Sequence, residues 1–268
     1  MNIEDTRKCN LMNLRAVARY LGIPAEDLTG FYDELLADDL FLEGINQQIA
    51  TIRAKWGFQK GIFAKDHISS IDWFAFERVL IYVLIRLKRP AWVLETGVYY
   101  GGNSAFALRA LESNRHGRMV SVDFPDAQIR VDSSASARHV LVGESELYEG
   151  GLKPGFMVAN SLSQFWELVE GDSLKVIPQR SEIFDFYIHD SDHSMVFLTK
   201  ELEAVWPKLA KDAILLVDDI DWSNAFFGFC AKKRLWPLLL TDNGKDDLRV
   251  RTGLALTGHP RNGDPSFT

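Results

Sequence analysis

The chain is short of the residues that would commit it to several common classes of protein. It has two cysteines, Cys9 and Cys230. They form no C-x-x-C pair and no spaced metal cluster, so a reducing, cytoplasmic compartment is expected. Positive charge is also scarce. Thirty Lys and Arg face 37 Asp and Glu, giving a formal net charge of −7 and a pI near 5.4, which argues against a dedicated nucleic-acid binder. Long apolar runs are missing: Phe74–Leu87, the most apolar stretch, is interrupted by Glu77, Arg78 and Arg86. It is shorter than the roughly 20 residues a membrane span needs. The opening Met-Asn-Ile-Glu-Asp-Thr-Arg has no apolar core, so no signal peptide is expected. No internal repeat is seen. What is present is an ordinary globular composition, 47% hydrophobic over 268 residues, enough for one α/β domain with a helical extension.

Periodicity divides the chain near residue 90. Before it, Leu11, Leu14, Val17, Ala18 and Leu21 recur at helical spacing and stop at Gly22 and Pro24. Leu28, Phe31, Leu35 and Leu36 form a second helical run, and Ile45, Ile49 and Ile52 a third. Ser69-Ser-Ile-Asp72 leads into a helix over Trp73–Leu87 that is apolar on most faces and therefore buried. Residues 1–89 are thus expected to be a helical cap, and 90–268 a second, α/β unit. There the pattern alternates: strand 91–95, helix 104–113, strand 119–122, strand 166–169, short helix 173–177, strand 184–188, helix 194–209 and strand 213–217. Alternation of this kind implies parallel strands joined by crossovers. Leu248–Arg251 and Gly253–Leu256 suit an antiparallel closing pair. Residues 124–164 are polar, Ser- and Gly-rich and aperiodic, and form a candidate lid-like insertion.

The chemistry concentrates at strand ends. Val93-Leu-Glu-Thr-Gly-Val-Tyr-Tyr-Gly-Gly-Asn-Ser104 runs an apolar strand into a turn with Glu95 and three glycines. In an open α/β sheet, ligands bind at this carboxyl edge. Gly97, Gly101 and Gly102 do not make G-x-G-x-x-G, which weakens a dinucleotide reading. The next strand ends in Asp123, an acid placed to accept hydrogen bonds from ribose hydroxyls. Gly171, Asp172 and Ser173 follow the third strand, where an adenine edge could be read. The fourth strand ends in Asp190-Ser-Asp192-His193, and the fifth in Asp218-Asp219-Ile-Asp-Trp222. Acids at five successive strand ends repel one another unless something cationic or hydrogen-bonding compensates them.

In order and position these motifs resemble those of the class I S-adenosylmethionine-dependent methyltransferases. The resemblance covers about Pro90 to Val217. It implies a Rossmann-like fold with a mostly parallel seven-stranded sheet and an antiparallel C-terminal strand. By position it also implies S-adenosylmethionine binding by Glu95, Thr96, Gly97, Tyr99, Gly101, Asn103, Ser104, Asp123, Gly171, Asp172, Ser173 and Asp190. The run Tyr187-Ile-His-Asp190-Ser-Asp-His193 with Asp218-Asp219 is similar to the metal-dependent small-molecule O-methyltransferases. These are the catechol and caffeoyl-coenzyme A types and their relatives from antibiotic and macrolide-sugar biosynthesis. That likeness implies Asp190, Asp218 and Asp219 as ligands of one divalent ion, with Mg²⁺ the expected metal. His193 stands where the catechol type carries a catalytic lysine, and with Asp190 forms the implied catalytic pair. An imidazole that titrates near pH 6.5 when unperturbed can act as a base. The implied partner is a hydroxylated small molecule, by the same likeness a natural-product intermediate, and a homodimer is expected. Four alternatives stay open at this level. Asp192 could replace Asp190 as ligand. The acids could be caps in a metal-free N- or O-methyltransferase. The fold could have lost catalysis, or, more distantly, serve a nicotinamide oxidoreductase.

Overall fold

The protein was analysed as a computed structural model, in which residues 3–57, 76–124, 153–242 and 249–258 are described. The expected helix lead-in at 69–75 and residues 125–152 of the expected insertion lie outside them. Strand β1 (Trp92–Thr96) begins where the backbone N–H groups of Ala91 and Trp92 donate to the Asp185 carboxylate at 2.8 and 3.1 Å. Its side chains alternate: Val93 enters one apolar cluster and Leu94 the other, as the two-residue period of a strand requires. Phe186, Tyr187 and Ile188 alternate in the same way, as do Ile214, Leu215, Leu216 and Val217. Both faces are apolar because helices cover both, the usual condition of a parallel sheet.

The remaining strands are β2 (Arg118–Asp123), β3 (Trp166–Glu170), β4 (Phe184–His189), β5 (Leu209–Val217), β6 (Leu238–Asp242) and β7 (Arg249–Leu256). They form one seven-stranded sheet in the order β3-β2-β1-β4-β5-β7-β6. The pairs among β1 to β5 are parallel, and β7 runs antiparallel to both β5 and β6. The sequence expectation of an α/β sheet with an antiparallel end therefore holds, with one correction. Leu248–Arg251 and Gly253–Leu256 are not a hairpin: residues 249–256 are a single strand whose new partner is β6. Gly253 continues the strand instead of turning it. An added Cβ there would lie 2.3 Å from Phe226 Cε1, so this glycine makes room for an aromatic ring.

One face of the sheet carries α1 (Ile3–Leu21), α2 (Ala25–Leu36), α3 (Asp39–Trp56), α4 (Phe76–Lys88) and α5 (Gly102–Asn114). The other carries α6 (Ser173–Gln179), α7 (Met195–Val205) and α8 (Ala225–Lys233). Helix α7 stops four residues before its expected end because Pro207 lacks the N–H needed to continue it; Trp206–Lys208 becomes a short 3₁₀ turn leading into β5. Helix α4 is buried at every position from Val79 to Ile85, because α2 and α5 pack against it. Glu34 of α2 accepts from Arg86 Nε and Nη2, each at 2.9 Å, and from the Tyr82 hydroxyl. Asp38 caps α3 by accepting from Phe41 N at 3.2 Å and also pairs with Arg109 of α5 at 2.6 Å. At the far edge, Asn13 of α1 donates to the Thr241 carbonyl at 2.9 Å.

Because Leu14, Leu84, Val93 and Phe186 belong to one apolar cluster, the N-terminal helices and the sheet are expected to unfold together. Leu84→Ala should cost about 2–5 kcal/mol. In a urea titration, far-UV circular dichroism and tryptophan fluorescence should shift to lower midpoints in a single coincident transition.

Candidate active site

Parallel strands deliver their carboxyl ends to one edge, and backbone hydrogen bonds continue past the strands to hold the loops side by side. Gly97 N donates to the Val122 carbonyl (3.0 Å), Asp190 N to Thr96 (2.8 Å), Asp218 N to His189 (3.0 Å) and Gly171 N to Asp123 (2.7 Å). The glycine turn fits its neighbour very tightly. Gly97 has φ +80°, and a Cβ there would lie 1.9 Å from the Asp190 carbonyl oxygen. The demand for glycine is thus set first by the chain's own β4 loop. Gly101, at φ +91°, starts α5 and lies against Gly155. Gly155 N donates to the Tyr99 carbonyl at 2.7 Å and Met157 N to Tyr100 at 2.9 Å. The described end of the expected insertion, 153–164, is therefore stitched to the glycine turn.

Each expected cofactor residue has a definite place. Glu95 is fully buried; its Oε2 accepts from Ser104 Oγ (2.7 Å) and Ser121 Oγ (2.6 Å). Its Oε1 has no hydrogen-bond partner among the described residues. Burial raises the Glu95 pKa to about 7, against the two serine hydrogen bonds. Asp123 Oδ2 accepts from the backbone N–H groups of Val98 (2.8 Å) and Tyr99 (2.7 Å). Burial, the largest influence, raises its pKa. Tyr99 holds φ +49°, and its ring meets Tyr100 edge to face. Gly171 follows β3, and Asp172 caps α6 by accepting from Leu174 N at 3.1 Å. Thr96 and Ser173 turn their hydroxyls inward to Glu201.

The acidic residues sort themselves into two groups. Carboxylate oxygens of Glu77, Asp190 and Asp218 all lie within 4.8 Å of one another. Asn103 Nδ2 donates to Glu77 Oε1 (3.1 Å) and Asp190 Oδ2 (3.0 Å). Burial, followed by the neighbouring carboxylates with Asp218 foremost, pushes both Glu77 and Asp190 well above the usual carboxylate range. Asp219 stands apart from this trio. At φ +49° it turns to Arg251 of β7, whose Nε donates to Oδ1 at 2.6 Å with a second bond from Nη2. Asp192 caps the loop by accepting from Ser194 N at 2.8 Å. The sequence reading missed Glu77, Arg251 and Glu201. Two of them left a signal: Glu77 interrupts a buried apolar helix, and Glu201 shares a helix face with Leu198, Leu202 and Val205.

His193 lies between the groups, 8% exposed, with Nε2 3.7 Å from Asp190 Oδ1 and 3.9 Å from Asp219 Oδ2. Its ring meets His189 edge to face (5.4 Å between centroids) and Trp222 at a tilt (5.8 Å). Burial and then His189 lower its pKa to about 4, so it is neutral at pH 7. Of the aromatics that follow the Asp218–Asp219 pair, Phe226 and Phe229 are core, while Trp222 and Phe227 are exposed.

A glycine turn, a half-buried acid that accepts from it and a second cluster of acids thus lie along one open-sheet edge. Comparison narrows the class. Residues 94–220, from β1 to just past the acid pair, match the family described as a methyltransferase domain. The cofactor-bound Rv0187 from MTB aligns at 15% identity with a TM-score of 0.52, covering 86% of this chain and 96% of that one. The O-methyltransferase from Bacillus cereus in complex with SAH aligns at 17% identity with a TM-score of 0.48, covering 90% and 96%. No curated protein sequence matches the chain. The fold is a Rossmann-like α/β sheet, and its segment 94–220 is similar to a methyltransferase domain.

Glu95 gives a pH prediction. Its folded pKa is raised, so the stability it contributes is fully present below the unfolded value of 4.5, declines above it and is gone once pH passes about 7. Glu95→Gln should flatten this fall in denaturant-derived stability between pH 5 and 8. His193 acts in the opposite direction: its lowered folded pKa makes its contribution rise with pH between about 4 and 6.5.

Proposed function

We propose that this chain transfers a methyl group from S-adenosylmethionine to a hydroxyl oxygen of a small molecule, with a divalent ion beside the acceptor and His193 as the general base. The observation that carries the reading is the neutral, buried imidazole of His193 between carboxylates, next to the loop that packs on the glycine turn. Two of the solved structures alike in fold are described as bound to SAH or to a cofactor.

The residues fit S-adenosylmethionine. Glu95 has a buried carboxylate oxygen without a partner among the described residues, suited to a cationic amine. Asp123 and the Gly171–Ser173 turn stand at the ends of the next two strands, where a ribose and an adenine would lie. When bound, this cofactor supplies an electrophilic methyl on a sulfonium. The chain's own work is to orient the acceptor oxygen, exclude water and take up the hydroxyl proton. His193 Nε2 would receive that proton, and Asp190 and Asp219 on either side would stabilise the resulting imidazolium.

The donors also fit a hard cation: oxygen-only, carboxylate-rich and mutually repelling, which suits Mg²⁺ or Mn²⁺ better than zinc. The trio Glu77, Asp190 and Asp218 would hold it, with Asp219 retained by Arg251. Such an ion would lower the acceptor hydroxyl's pKa and fix its direction. The acceptor side is apolar at its rim, where Trp222 (45% exposed), Met195 and Val196 (both 59%) lie in or next to the His193 segment. This favours a flat or largely apolar scaffold that carries the hydroxyl. A metal-independent version of the same transfer is favoured by Asn103 and Arg251, which already compensate part of the acidic cluster.

Two measurements test this. With a panel of hydroxylated aromatic and glycosidic acceptors followed by S-adenosylhomocysteine release, His193→Ala should lower turnover by about 10²–10⁴-fold with cofactor binding retained; wild-type turnover would remove the base assignment. In Mn²⁺ titrations read by electron paramagnetic resonance, Glu77→Gln should weaken binding by at least about tenfold, the scale of one lost charged contact, and Asp219→Asn by less. No Mn²⁺ binding to the wild type, with activity surviving a chelator, would favour the metal-independent reading.

A further inference from the structure

Beneath the edge, on the sheet-facing side of α7, Glu201 has no solvent exposure. Four donors address its Oε2: Thr96 Oγ1 and Tyr187 OH (both 2.9 Å), His189 Nδ1 (2.6 Å) and Ser191 Oγ (3.0 Å). A fifth, Ser173 Oγ, donates to Oε1. A carboxylate only accepts, so His189 carries its proton on Nδ1. These donors come from β1, β4, the loop after β4 and the start of α6, and most adjoin the site. Thr96 precedes Gly97, Ser173 follows Asp172, and His189 and Ser191 flank Asp190. The His189 ring also meets His193 edge to face. One buried charge thus ties together the loops after β1, β3 and β4.

A buried carboxylate is costly unless its lone pairs are satisfied. Its neighbours on α7, Leu198, Leu202 and Val205, are apolar and buried, so an apolar residue would serve packing alone. We infer that Glu201 is a positioning residue: its hydrogen bonds hold the Thr96, Ser173 and Ser191 loops at the spacing that receives the cofactor. This rests on the cofactor reading above. Loops tied in advance need not be ordered when a ligand arrives, and affinity gains by that saved cost.

The test combines calorimetric titration of the full chain with S-adenosylhomocysteine and amide hydrogen exchange by mass spectrometry, so no acceptor is needed. Glu201→Gln should weaken binding about tenfold, the scale of one charge-assisted hydrogen bond. It should speed exchange in 97–102, 171–174 and 190–194 while β1 and β4 stay protected. Ser173→Ala should open only 171–174 and weaken binding less. Ser191→Ala should open only 190–194 and likewise weaken binding by less than Glu201→Gln. Wild-type affinity and exchange in Glu201→Gln would overturn the assignment. So would uniform loss of protection across the sheet with affinity intact, the mark of a purely structural residue. If Glu201→Gln does not fold, Ser173→Ala decides: unchanged affinity and exchange sink the proposal. Failure of the wild type to bind S-adenosylhomocysteine removes the cofactor reading and this inference together. Binding that none of the variants alters removes the inference alone.

Discussion

At one point the loops after β1 and β4 pass so close that no side-chain carbon fits between them: a Cβ at Gly97 would lie 1.9 Å from the Asp190 carbonyl oxygen. That contact sets the geometry of the whole edge. With Gly97 against the Asp190 peptide and Asp190 N bonded to the Thr96 carbonyl, the glycine turn and the acidic loop move as one unit. The Asp190 carboxylate is then directed to Glu77 and Asp218, and His193, one turn further on, comes to lie between Asp190 and Asp219. On the other flank, the Gly155 turn locks to Tyr99 and Gly101, so the start of α5 is held from both sides.

Charge is the second constraint. A parallel sheet gathers its strand ends along one line, so acids widely spaced in sequence become neighbours in space. The protein answers this crowding differently at each acid. Asp123 takes two backbone N–H groups, Asp219 takes Arg251, and Glu201 takes hydroxyls and an imidazole. Glu95 is held by two serines with one oxygen left over. Asn103 donates to both Glu77 and Asp190, Arg251 lies 3.9 Å from Asp218, and the first two acids resist ionisation. The acids most reluctant to ionise thus gather where the acceptor chemistry is proposed, a place that favours a cation or a proton.

Much of the fold was legible locally. Alternating apolar strands and helical repeats marked β1 to β5 and most helices, because a strand's two-residue and a helix's 3.6-residue period are written in neighbouring residues. The C-terminal end was not. The single strand was divided at Gly253, a glycine whose role is to admit the Phe226 ring, a contact made 27 residues away in sequence. Helix α8 and strand β6 were missed, since the apolar run Leu238–Leu240 has no alternation to mark it as a strand. At the site, the expected strand-end residues all fall on or just beneath one edge. Their partners came from outside the reading frame: Glu77 from the N-terminal helices, Arg251 from β7 and Glu201 from the far face of the sheet.

The sequence by itself determined the class of sheet, the order of its loops and the glycine turn, since these depend on the residue types and spacings of contiguous segments. Only the tertiary structure decided which acid faces which. Asp218 and Asp219 are adjacent in the chain, yet the positive φ of Asp219 swings its carboxylate to Arg251 while Asp218 joins Glu77 and Asp190. The direction of a side chain at a strand end depends on backbone torsion and on cations brought up by remote elements. Neither is encoded in local spacing.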